Sequence, residues 1–251
     1  MQTKKGDYNV RQSNLYIIIY SAVLTIVCAG LLAFASISLK DRQEANIAME
    51  QKSNILSTVT TIPEGTDIND LYARRIRGFV IDFKGDVVPN VDPGKIVVAS
   101  EYKKKPEERV LPVYEFISET DPNKVEAVVL PVFGFGLWNN IWGFVALEAD
   151  FNEVRGVKFA HAGETPGLGA RIESAEIQDR YKGKRVFDEN DVLVSIIMMK
   201  GEGTNYSGEH HKVDGMSGAT LTAKGVNNML QDYFSCYKTY LSKNRKNVAQ
   251  L

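Results

Sequence analysis

The residues Asp214-Gly215-Met216-Ser217-Gly218-Ala219-Thr220-Leu221-Thr222 stand immediately before a long amphipathic pattern. Their types and spacing suit one kind of chemistry, the holding of a phosphate. Gly215 and Gly218 allow a tight turn and a close approach of backbone to ligand. The helix that begins after them leaves its first N–H groups without intrahelical partners. With the helix dipole, those groups favour an anion. A threonine hydroxyl at that point can bind a phosphate or bond to one covalently. The same residues also read as ordinary helix capping, since Ser, Thr and Gly are preferred before an apolar periodic run.

Two further segments offer ligand contacts. In Gly163-Glu164-Thr165-Pro166-Gly167-Leu168-Gly169, Pro166 and Gly167 force a turn, while Glu164 and Thr165 present a carboxylate and a hydroxyl. Taken alone, this segment also fits a surface loop. In Gly134-Phe135-Gly136-Leu137-Trp138-Asn139-Asn140-Ile141-Trp142-Gly143, a dinucleotide fingerprint would need glycine at Asn139 and a helix afterwards. A strand pattern follows instead. Leu137 and Trp138 offer apolar surface to a ring system, or serve as turn and core side chains.

Composition narrows the class. The chain has 251 residues and a formal net charge of −1, which gives no electrostatic footprint for nucleic acid. Its 2 cysteines, Cys28 and Cys236, form no Cys-x-x-Cys, so the chain by itself lacks the ligands of a four-cysteine iron–sulfur centre. His161, His210 and His211 lack zinc spacing, and His210-His211 beside Glu209 reads as a solvated loop.

The positioning elements come next. Residues 15–39 contain no charged residue, and about 20 apolar residues span a bilayer. Ala33-Phe34-Ala35 resembles a signal cleavage site, but the apolar run exceeds the roughly 7–15 residues of a signal core, so an uncleaved anchor is expected. A lipoprotein reading at Cys28 is disfavoured by Val27 before it and the uncharged run after it. Lys4, Lys5 and Arg11 precede the segment, against Asp7; Lys40 and Arg42 follow it, against Asp41 and Glu44. The basic residues bias residues 1–14 slightly to the cytoplasm. Residues 40–66 read as a stalk helix, or a helix packed on the main domain, ending at Pro63 and Gly65. A short helix follows Asp67.

Residues 67–251 are expected to form an α+β domain with a mostly antiparallel twisted sheet and packed helices. Strands are expected at residues 78–83, 97–99, 110–114, 126–133, 141–148 and 154–160, with a loop over 134–140. The run 192–199 reads as a buried strand. Residues 173–181 read as a short helix. Residues 221–241 read as a long helix whose core face includes Leu221, Val226, Met229, Leu230, Tyr233, Phe234, Tyr237 and Leu241. Long helical cover is expected only around Glu173 and Leu221.

The stretch ending at Thr220 resembles the flavinylation motif Asp-Gly-x-Ser/Thr-Gly-Ala-Thr of bacterial membrane redox complexes. Residues 164–169 resemble the Glu-Thr-Pro-Gly-Leu-Gly signature of the same proteins, and residues 134–138 their Gly-x-Gly-Leu-Trp stretch. In this order, behind one apolar segment, nearly the whole chain resembles the C-subunit family of the sodium-translocating NADH:quinone reductases (Nqr). Residues 43–56 look like that family's post-membrane helix. The G-type protein of the Rnf complex shares the motif but is usually shorter before it, so the residues between Asp41 and Glu126 favour the quinone-reductase family. The resemblance implies an electron relay in the inner membrane, with its main domain in the periplasm. It implies FMN joined to Thr220 by a phosphoester, contacts from Leu137, Trp138, Glu164, Thr165, Leu168, Gly169, Ser217, Gly218, Ala219, Leu221 and Thr222, and no metal. It further implies partner subunits, including membrane subunits, coupling of NADH–ubiquinone electron transfer to sodium export, and a separate flavin transferase. A threonine hydroxyl is a weak nucleophile without a base. No base is evident near Thr220, and no role is carried onto His161. The reading from a different class is a membrane-anchored protein that binds a phosphate-bearing ligand without a covalent bond.

Overall fold

Short polar turns separate the apolar runs, and the consequence is a meander. The computed structural model describes residues 14–248. Lys4, Lys5, Asp7 and Arg11, on which the charge bias partly rests, lie outside the described residues. The chain divides into two compact units, one up to Ala48 and one from Met49 onward. Helix α1, Asn14–Val59, is 46 residues long and is long and apolar enough to cross a membrane by length and composition.

Within the second unit, α2 (Ile68–Arg75) begins at Asp67, whose carboxylate accepts from Asn69 N at 2.8 Å and Asp70 N at 3.3 Å. Strands β1 (Ile76–Ile81), β2 (Leu111–Ile117), β3 (Val125–Phe135), β4 (Asn140–Glu148) and β5 (Val154–His161) pair antiparallel in sequence order. Both faces of this sheet are covered, so β3 is buried almost continuously rather than alternately. One face sends Val113, Val128, Leu130, Val132, Val145 and Leu147 against α5 (Thr220–Val248). The other sends Tyr114, Phe116, Ala127, Val129 and Ala146 against Ile55, Leu56 and Val59 at the end of α1. Helical cover therefore comes from α5 and the end of α1. The region around Glu173 supplies only a 3-10 turn, Gly169–Glu173, and α4, Ala175–Asp179.

Several expected elements differ. Val98–Glu101 is helix α3, not a strand; Ser100 N and Glu101 N both bond to Val97 O, and the half-buried Val98 and Ala99 pack on the core. In residues 192–199 only Ile197–Met198 (β6) is a strand, paired parallel with Lys212–Val213 (β7). Asp188 captures Val192 N at 2.8 Å, and Asp191 and Ser195 take positive φ of 60° and 61°. Those bends defeat a continuous ladder. Asn227 on α5 stands in for a neighbouring strand, accepting from Met198 N at 2.7 Å and donating to Met198 O at 2.9 Å. Strands β3 and β4 extend into the expected loop, leaving only residues 136–139 as connection. His211 is half-buried, with Nδ1 2.7 Å from Arg185 O, so the histidine pair is not a wholly solvated loop. Leu221 is 57% exposed and leaves the core face to its helix neighbours.

Candidate functional site

Glu164 lies in the loop after β5, where a carboxylate would ordinarily be solvated, yet it is only 3% exposed. Oε1 accepts from Trp138 N at 2.9 Å, and Oε2 accepts from the Thr222 hydroxyl at 2.5 Å. Burial pushes this carboxyl up, but the Thr222 hydroxyl and the backbone N–H groups of Trp138, Asn139 and Leu137 outweigh it. The group is held below the usual carboxylate range, so at neutral pH it is ionised and only accepts. One side chain thus joins the β3–β4 hairpin to the first turn of α5. Two glycines make room for it. A Cβ at Gly136 would stand 2.5 Å from Oε1, and one at Gly169 would stand 2.6 Å from Oε2.

The surrounding loops are fixed from their own residues. Glu164 N donates to His161 Nδ1 at 3.1 Å, and His161 N donates to Glu173 Oε1 at 3.0 Å. His161 is therefore a brace of the loop. Leu168 N and Ala170 N both close on Thr165 O, at 3.1 and 3.2 Å. The indole N–H of Trp138 donates to Thr165 Oγ1 at 3.2 Å. Gly218 has a φ of +72°, and a Cβ there would lie 2.8 Å from Leu168 Cδ2. The turn before α5 thus needs glycine both for its conformation and for the leucine packed across it.

These loops enclose a cleft of about 200 Å³ lined by Leu137, Glu164, Thr165, Leu168, Gly169, Gly218, Ala219, Thr220, Leu221 and Thr222. Of the residues expected from sequence, Trp138 stands at its rim, 70% exposed, and Ser217 lies just outside the lining. Leu137, Leu168 and Leu221 are 44%, 41% and 57% exposed, an apolar surface around a helix N-terminus. Thr220 is the first residue of α5 and is exposed; among the described residues its hydroxyl has no hydrogen-bond partner. Thr222 is 1% exposed and its hydroxyl is committed to Glu164. A larger cleft of about 430 Å³ lies by Asp150, Asp191 and Arg245, but contains none of the motif residues.

Sequence reading missed the group that holds the turn at residues 214–217. Glu202 accepts from Ser217 N at 2.9 Å, from Arg171 at 2.7 and 2.9 Å, and from Arg180 at 2.8 Å. The Arg171 pairing, then that of Arg180, holds the Glu202 carboxyl well below the usual range. Arg180 also donates to Asp214 O and Gly215 O. Gly201-Glu202-Gly203 carries no periodic or motif signal that marks this role.

The arrangement fits FMN in three respects: free backbone donors at a helix start for phosphate, an exposed hydroxyl beside them, and apolar side chains for a ring. The FMN-binding domain family matches residues 136–235, the span that contains the cleft. The C-type subunit of the Na(+)-translocating NADH-quinone reductase of Haemophilus ducreyi is 32% identical over 236 residues, covering 88% of this chain and 90% of that protein. Its counterpart in Neisseria meningitidis is 30% identical over 263 residues, covering 98% and 99%. The crystal structure of the counterpart from Parabacteroides distasonis superposes with a TM-score of 0.71 at 29% identity, covering 81% of this chain and 97% of that one. NqrC of Shewanella oneidensis gives 0.70 at 26% identity, covering 80% and 99%. The chain belongs to the NqrC family, the C-type subunits of the Na(+)-translocating NADH-quinone reductase, an oxidoreductase complex.

Proposed function

We propose that this chain is a membrane-anchored electron relay whose FMN is bound to Thr220 Oγ1 through a phosphoester. The observation that carries the reading is the contrast between two threonines of one helix turn. They are two positions apart, hence on nearly opposite sides of α5. Thr222 is buried with its hydroxyl given to Glu164, whereas Thr220 is exposed at the helix start with its hydroxyl unengaged. The match to the FMN-binding domain supports the cofactor's identity.

Bound there, FMN supplies one-electron transfer; the protein supplies anchoring, orientation and tuning. The first N–H groups of α5 face the phosphate. Leu137, Trp138, Leu168 and Leu221 flank the ring, and Thr165 offers a polar contact. Glu164 is already spent on holding the two walls together. Among the described residues no side chain bonds the Thr220 hydroxyl, and a separate flavin transferase provides the base. The apolar part of α1 anchors the chain in the bacterial inner membrane, with the cleft on the periplasmic side. There it meets the other subunits of the complex, including membrane subunits, which couple electron flow from NADH to quinone with sodium export.

Covalency is tested on a denaturing gel. The wild-type chain, expressed with a flavin transferase, is expected to fluoresce under ultraviolet light, and Thr220→Ala to be dark at equal protein loading. A dark wild-type band would leave only the non-covalent binding of a phosphate-bearing ligand.

A further inference from the structure

Glu202 stands outside the three motif segments, yet its carboxylate ties the two walls of the cleft together. On one side it accepts Ser217 N at 2.9 Å, in the turn that leads to Thr220. On the other it takes both Nη atoms of Arg171, at 2.9 and 2.7 Å. Arg171 belongs to the 3-10 turn Gly169–Glu173, whose first residue lines the cleft. Arg180 completes the assembly, giving Nη2 to Glu202 at 2.8 Å and Nη1 to the carbonyls of Asp214 and Gly215. The Asp214 carboxylate is used within the same assembly, accepting Gly203 N at 2.7 Å and Thr204 N at 3.1 Å. Forked arginine–carboxylate pairing is geometrically strict, more so than a single neutral hydrogen bond.

Resting on the functional reading above, we propose that Glu202, with Arg171 and Arg180, is a positioning element for the attachment of flavin. It fixes the turn at residues 214–217 so that Thr220 is presented at one distance from Leu168 and Gly169. The reaction it serves forms a bond between Thr220 Oγ1 and the phosphorus of the FMN unit. The bond from that phosphorus to the donor's leaving group breaks, and the hydroxyl proton passes to the transferase. A flavin dinucleotide balances the step, its second nucleotide leaving as a monophosphate, with no change of oxidation state. Attack of this kind is sensitive to placement, since a displacement of about 1 Å costs on the order of a hundredfold in rate.

The full-length chain, made in cells lacking a flavin transferase, is mixed in detergent with purified transferase and flavin dinucleotide. The rate at which fluorescence appears in the denatured band is followed well below every variant's melting midpoint. Glu202→Ala is expected to be modified about ten- to a hundredfold more slowly. Glu202→Gln, which keeps an acceptor for Ser217 N but loses the charge, is expected to recover part of that loss. The Ser217 amide is expected to exchange faster with solvent in Glu202→Ala. If Glu202→Ala does not fold, Glu202→Gln carries the comparison. Folded variants modified at the wild-type rate overturn the proposal. A wild-type chain that takes no flavin overturns the functional reading instead. Ser217 amide exchange then decides the brace, faster exchange supporting it and unchanged exchange overturning it.

Discussion

Removing the Glu164 carboxylate tests whether one buried charge holds the hairpin to the helix. In Glu164→Ala the Trp138 N–H and the Thr222 hydroxyl lose a charged acceptor, at 2.9 and 2.5 Å respectively. Hydrogen bonds to charged groups contribute about 1.5–3 kcal/mol each, so two give about 3–6 kcal/mol. Water entering the vacated space offsets part of this, and about 3 kcal/mol is the expected loss. For a unit of this size that is a fall of roughly 6–12 °C in melting midpoint. Glu164→Gln keeps one acceptor and can donate to Thr222 Oγ1, so its loss is about half as large, as expected for neutral bonds.

The pH dependence of Glu164 has a definite sign. The folded carboxyl is held below the ordinary range of about 4.3. Its contribution is therefore fully present above about pH 4.3 and disappears as the pH falls through the lower folded value. The gap between wild type and Glu164→Gln should follow, constant near neutrality and closing in acid. The chain's 2 tryptophans, Trp138 and Trp142, both sit on the β3–β4 hairpin, so their fluorescence reports this region directly. Thermal unfolding of the full chain in detergent, read by that fluorescence, measures both effects. A Glu164→Ala midpoint within about 1 °C of wild type at neutral pH would refute the clamp. So would a gap to Glu164→Gln that persists unchanged in acid.

Other expectations are narrower. Gly218→Ala places a side chain at a φ of +72° and against Leu168 Cδ2. It should cost about 1–2 kcal/mol in denaturant unfolding, and an unchanged unfolding midpoint would contradict the reading of this turn. Trp138→Ala should leave flavin attached while shifting its midpoint potential or slowing electron transfer, because the indole stands at the cleft rim and donates to Thr165. Potentials and transfer rates equal to wild type would remove Trp138 from the site. A reporter fused after Leu251 should work only if it is a type active outside the cytoplasm. Activity of a cytoplasm-only reporter there would reverse the proposed orientation.

Sequence made the site's outline visible because its parts depend on local chemistry. Gly218, Thr220 and the apolar periodicity of α5 mark a helix start within a few residues of chain. Pro166-Gly167 marks its turn in the same way, and Gly167 indeed takes a φ of +74°. What was hidden depends on distant partners. Glu164 looks from sequence like a ligand contact and does line the cleft, but only folding reveals that it also joins Trp138 N to the Thr222 hydroxyl, across 26 and 58 positions. Glu202 meets Arg171 across 31 positions and Arg180 across 22, separations that no short pattern encodes. Among the strands, long apolar runs such as β3 declared themselves. Residues 97–99 were too few to carry a period and turned out helical. The run at residues 192–199 was apolar enough for a buried strand, but Asp188 and the positive φ of Asp191 and Ser195 bend it out of register. Leu221 continues the apolar pattern of α5 in sequence, yet in space it lies on the side that faces the cleft.

The central claim is that flavin is joined to Thr220 and not to its neighbour Thr222. Mass spectrometry of the proteolytic peptide containing both residues, with fragmentation between them, tests it most directly. The expected result is the added mass of an FMN phosphoester on Thr220 in the wild-type chain and an unmodified peptide in Thr220→Ala. FMN found on Thr222, or a peptide still modified in Thr220→Ala, would contradict it.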